Sequence, residues 1–152
     1  MRKANYDKFP STKLTGMLVQ GWDSIISMLK EKMDARKVLA VDLYTGVYEE
    51  EVLDAFSKEF SGRVMNVRDL MKPEKEIQAL TERFMTEDVL FGYVTNLKLE
   101  DYLDADKVAA ARKQISEAKE TIVIIGTGAA VVAPQDAMVV YADMARWEIQ
   151  QR

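Results

Sequence analysis

Apolar residues fall into two rhythms along this chain. Between Gly21 and Ala35, Trp22, Ile25, Ile26, Leu29 and Met33 recur at helical spacing, the one-face pattern of an amphipathic helix. Arg36-Lys37 ends that pattern and leads into Val38–Leu43, a short uninterrupted apolar run broken by Tyr44–Gly46. A second helical pattern starts at once, with Val52, Leu53, Phe56 and Phe60 on its inner side. Glu49, Glu50 and Glu51 stand in its first turn, where carboxylates suit the positive end of the helix macrodipole. Strand, turn and helix make the first half of a βαβ unit. The turn of such a unit lies at the carboxyl edge of the sheet, where open α/β sheets bind ligands.

The rest of the chain continues the alternation. Gly62 closes the helix, Arg63–Val67 alternates like a second strand, and Arg68-Asp69 falls at its carboxyl end. Pro73 suits a first-turn position and opens a third helix with Ile77, Leu80 and Phe84 inward. Val89–Val94 reads as a strand weakened by Gly92. Asp104 is placed to cap a helix over Ala105–Lys119, with Val108, Ala111, Ile115 and Ala118 as its stripe. Thr121–Gly126 is β-branched and unbroken, as in a strand covered on both faces. Thr127–Ala130 and Pro134–Asp136 are turns, and Met138–Ala142 is a last strand. Asp143 to Arg152 then begins a helix carrying Trp147 and Ile149, with no Gly, Pro or cap to close it. The expectation is an irregular arm over residues 1–20, then one α/β domain over 21–152 forming the amino-terminal part of a longer protein. Its architecture is expected to be a three-layer αβα sandwich with a mostly parallel sheet of about five strands.

Composition narrows the chemistry more than the fold. The chain has 152 residues, 48% of them hydrophobic and 30% charged, as in an ordinary single domain. No apolar run approaches the roughly 20 residues of a membrane helix, and no signal-peptide pattern opens the chain. A cytoplasmic protein without a membrane partner is expected. The net charge of −4 argues against a nucleic-acid footprint. There is no cysteine and no histidine. Disulfides, thiol nucleophiles, Ser-His-Asp catalysis and the usual zinc ligands are therefore excluded, while a hard cation held by carboxylates stays open.

Three constellations carry what chemistry remains. The turn Asp42–Gly46, with Thr45, occupies the place of a phosphate-binding loop, G-x-x-x-x-G-K-[ST]. Only Gly46 matches it, and Glu49–Glu51 stand where positive charge is wanted, so such a loop would be degenerate. Gly126-Thr127-Gly128 after a strand resembles the start of G-x-G-x-x-G. The third glycine is replaced by Val131 and no long helix is predicted, so a tight turn is the better reading. Arg68, Asp69 and Asp143 fall at predicted strand ends, and Asp143 with Arg146 makes a second charged pair. Ends of neighbouring parallel strands converge, so Asp42, Arg68, Asp69, Gly126 and Asp143 could line one crevice. The alternative is surface ion pairing and helix capping. No catalytic residue can be named. Arg68 is the expected phosphate contact, by its bidentate geometry.

Several stretches together resemble one family: VLAVDLYTGVYEEEVLDAF, RVMNVRDLMKPEKEI, TEDVLFGYVTNLKLEDYLD, TIVIIGTGAAVV and DAMVVYADMARWEIQQR. They look like the amino-terminal region of a long bacterial class I mannose-6-phosphate isomerase. There an α/β domain similar to P-loop nucleoside kinases precedes a cupin domain that carries the isomerase. The resemblance implies that the parent protein interconverts mannose 6-phosphate and fructose 6-phosphate, with zinc held in the cupin by residue types including histidine. This chain would then carry no cofactor of its own, with the cupin as partner and a sugar phosphate or nucleotide as possible ligand. Two other readings stay open: a divergent P-loop-like nucleoside or sugar kinase, and a module that docks another domain through the Trp147 helix and the amino-terminal arm.

Overall fold

The computed structural model describes residues 10–13, 15–88 and 91–151. Residues 10–13 and 15–20 contain neither helix nor strand, and the rest of the expected arm lies outside the described residues. Helix α1, Trp22–Met33, buries Ile26, Leu29 and Met33, three members of the predicted stripe. Trp22 sits at the rim, donating its indole N–H to Glu51 Oε1 at 3.0 Å. Strand β1 is Val38–Leu43, and α2, Glu49–Glu59, opens on its three glutamates. Strand β2, Arg63–Asn66, runs straight into a 3₁₀ turn over Val67–Leu70. Helix α3, Glu74–Thr81, is followed by 3₁₀ turns at Glu82–Phe84 and Leu99–Tyr102. Helix α4, Ala105–Glu117, is capped by Asp104, whose carboxylate accepts from the backbone of Asp106 and Lys107. Strand β3, Ile122–Gly126, is buried throughout. A four-residue helix α5, Ala129–Val132, leads to β4, Met138–Ala142, and α6 is Arg146–Gln151.

All four strands are parallel, in the order β2-β3-β1-β4. Because side chains alternate across a strand, β1 and β3 divide their residues between two cores. Leu39, Val41, Leu43, Val123 and Ile125 meet α1 and α2 on one face. Val38, Ala40, Ile122 and Ile124 meet α4 and α5 on the other. Helices thus cover both faces of a parallel sheet, which is the expected α/β sandwich. Edge strand β4 is covered on one face only: Met138, Val140 and Ala142 pack on the α1–α2 core, while Val139 and Tyr141 are exposed.

The described residues form four strands where about five were expected from the alternating pattern. Of the segment Val89–Val94, residues 89 and 90 lie outside the described residues, and Phe91–Val94 form no strand. Local partners take the backbone groups that a ladder would need. Asp88 Oδ1 accepts from Phe91 N, Thr86 Oγ1 donates to Phe91 O, and Tyr93 N donates to Phe84 O. Such short polar side chains compete with sheet pairing. Helix α3 buries none of its residues, so Ile77 and Leu80, with Phe84 beyond it, are half-covered rather than core. The last helix begins at Arg146, and the Asp143 carboxylate bonds Met144 N instead of capping it.

Candidate ligand cleft at the switch point

The chain leaves β1 through α2 on one face and reaches β2, beyond β3. It leaves β3 through α5 on the opposite face and reaches β4, beyond β1. The connections out of these adjacent strands therefore diverge, and the crevice at such a switch point is where open α/β sheets take ligands. A cleft of about 620 Å³ opens there, lined by Tyr44–Glu51, Arg68 and Thr127. A smaller one of about 330 Å³ adjoins it, floored by Met71, Leu99, Tyr102 and Leu103. Glu49, Arg68 and Thr127 line both.

Asp42 faces away from this cleft. Its position on β1 aims the carboxylate at the α5 side, where Oδ1 accepts from Gly128 N at 3.1 Å and Oδ2 from Ala130 N at 2.9 Å. Thr127 adds a tie across the crevice, its hydroxyl donating to Leu43 O at 3.0 Å. The two turns at the carboxyl edge are thus sewn together, and the amides following β3 have an internal anion as their acceptor. Gly128 has φ 87°, a conformation that favours glycine, and this rotation presents its N–H to Asp42. Gly126 serves packing: with φ 135°, any Cβ would stand 2.8 Å from that of Val67.

Glu49 is the hub of the cleft. Oε1 accepts from Asn66 Nδ2 at 2.7 Å and Oε2 lies 3.3 Å from Arg68 Nη2. Asn66 Oδ1 in turn accepts from Arg68 N at 2.7 Å, an Asx turn that fixes where the arginine leaves the backbone. Arg68 is 64% exposed against 18% for Glu49, so the guanidinium is anchored at one nitrogen and open to solvent elsewhere. Tyr44 stands edge-on to Tyr141, ring centres 6.4 Å apart. The Tyr141 hydroxyl is held above its ordinary pKa of 10.0, first by lost hydration and then by Asp143, Tyr44 and Asp42.

Of the five residues expected to share one crevice, Arg68 alone lines the cleft; the other candidates Thr45, Gly46 and Thr127 join it there, and Gly128 lines its smaller neighbour. Asp42 and Gly126 lie behind that wall. Asp69 lines a separate groove beside Arg63 and Lys107, on the outer side of β2. Asp143 stands by Tyr141 at the β4 edge and lines neither cleft. The sequence reading placed Glu49 in the first turn of its helix but missed it as the acceptor for Asn66 and Arg68, and missed Asn66 and Tyr48. The signal for Asn66 was present: an Asn at a strand end two residues before an arginine is an Asx-turn pattern. No group of three or more acidic, histidine or cysteine side chains among the described residues is arranged to hold a metal ion.

The fold and this crevice define a parallel α/β domain with a switch-point cleft. Residues 21–152 match the family described as "Domain of unknown function (DUF8485)", and the chain belongs to that family. No curated protein and no solved structure matches it.

Proposed function

We propose that this is a ligand-binding α/β domain that does no chemistry of its own, working as the amino-terminal part of a sugar-phosphate isomerase. The observation that carries the binding role is the coupling of Glu49, Asn66 and Arg68 beneath an open cleft at the switch point. The geometry also argues against phosphoryl transfer through the β1 turn. A working phosphate loop presents free amides and a lysine, whereas here Asp42 takes the amides after β3 and the turn after β1 leads into three glutamates. In this reading a sugar ring lies against Tyr44 and Tyr48, and its phosphate meets the open side of Arg68 by charge-assisted hydrogen bonds. The parent activity, interconversion of mannose 6-phosphate and fructose 6-phosphate, rests on the sequence resemblance, and its zinc belongs in the proposal to the cupin.

Calorimetric titration of the chain with mannose 6-phosphate and with fructose 6-phosphate tests the binding role. A saturable signal is expected from at least one, with Arg68→Ala weakening it by about tenfold or more, the loss of one hydrogen bond to a charged group. A titration unchanged in Arg68→Ala would remove the arginine from the site. Turnover of ATP by the chain alone, with magnesium and a sugar acceptor, would replace this reading with the kinase one.

A further inference from the structure

At the opposite edge of the sheet, beneath the amino ends of the strands, lies a cavity of about 810 Å³, larger than the switch-point cleft. We propose that it is a second ligand site, for a small organic monoanion with an apolar body. The proposal is independent of the function assigned to the first cleft.

The volume falls within the usual range of small-molecule sites, roughly 300–1,000 Å³. Its floor is apolar: Val38 from β1 and Ile115 from α4, each 8% exposed, together with the partly buried Ala118 and Ala133, over the fully buried Val132 of α5. Its rim is cationic, formed by Arg36, Lys37 and Arg112. Among the described residues none of these three forms an ion pair. Arg112 is nevertheless fixed in place, with Nη2 donating to Val131 O at 2.7 Å and Nε to Val132 O at 3.4 Å. A guanidinium has five N–H groups, so three remain for a ligand on a side chain whose ordering has already been accomplished. Pre-ordering of this kind lowers the entropic cost of binding.

The loop that carries the other two cations is held in an unusual shape. Asp34 ends α1 with φ 50° and ψ −123°, backbone that residues with a Cβ seldom adopt, and such strain gathers at ligand clamps. Immediately after it, Arg36 N donates to Met33 O and Lys37 O accepts from Ile122 N, both at 2.8 Å. The loop is therefore pinned at both ends, with its two cations at the cavity mouth. Asp34 and Asp136 also line that mouth. Two carboxylates against three cations leave one net positive charge, which selects a single negative charge and disfavours a dianion. An apolar floor beneath a singly cationic rim fits a carboxylate on a hydrocarbon body.

Amide NMR of the ¹⁵N-labelled chain, titrated with octanoate, tests this. Octanol serves as the uncharged match and suberate as the dianion. Saturable shifts are expected at Val38, Ile115 and Val132, with octanoate binding about tenfold or more tighter than octanol, the worth of one charge-assisted hydrogen bond. The double variant Arg36→Ala/Lys37→Ala changes exposed residues only and should lose most of that preference, while Arg68→Ala should leave it intact. No saturable shifts, shifts mapping elsewhere, or octanol or suberate matching octanoate would overturn the proposal. The wild-type comparison alone decides it if the double variant does not fold.

Discussion

Asp42 shows why a residue in the right place can have a different task. A carboxylate at the carboxyl end of a central strand reads as a site residue, and the sequence reading placed it in the crevice. The strand's own alternation decides otherwise. Leu39, Val41 and Leu43 face α1 and α2, so Asp42 must face α5, where it meets two amides in need of an acceptor. Two charge-assisted bonds are made together, and truncation leaves both donors without their partner. Asp42→Asn, which keeps the shape but reduces the charge and one acceptor, should destabilise the domain by about 1.5–3 kcal/mol. Urea unfolding should show a lower midpoint with an unchanged slope. No change in midpoint would mean that this tie contributes nothing. Arg68 makes the complementary point: sequence located it at a strand end, but its anchoring to Glu49 was hidden because strand β2 and helix α2 had first to be packed side by side.

Elements were legible where the hydrophobic rhythm was strong. The stripe of α1, the cap and stripe of α4, and the unbroken run of β3 all form as their patterns dictate. The segment 89–94 misled because alternation alone cannot see that Asp88, Thr86 and Phe84 supply local partners. The final helix misled by three residues at its start, since the Asp143 side chain closes on its own neighbour. Edge strand β4 could not be ranked as an edge from sequence, because strand order is a property of the assembled sheet. Its one-sided cover has a measurable consequence. Tyr141 lies on the uncovered face, and lost hydration together with Asp143, Tyr44 and Asp42 disfavours its phenolate. The raised value means the folded state prefers the neutral phenol. Its contribution to stability is therefore complete below the ordinary phenol range and is lost as pH rises through the folded value. The difference in phenolate absorbance between wild type and Tyr141→Phe should show a transition above pH 10.0. A transition at or below that pH would show that the neighbouring charges do not act on it.

At the scale of the whole molecule, the order β2-β3-β1-β4 is what makes a site possible. Parallel strands place every outgoing turn at one edge, and the reversal between β1 and β3 parts two of those turns. The alternation of strands and helices made the class readable, whereas the crevice depended on which strands became neighbours. Thr127, far from Leu43 in sequence, reaches it only because β3 lies beside β1. The absence of histidine and cysteine narrowed the chemistry before any geometry was known. The most direct measurement is an amide NMR titration of the chain with mannose 6-phosphate, followed by assay of the same sample for product. The account predicts saturable shifts confined to Tyr44–Glu51, Arg68 and Thr127, with the sugar phosphate recovered unchanged. Conversion to fructose 6-phosphate by this chain alone, or shifts that leave those residues untouched, would contradict it.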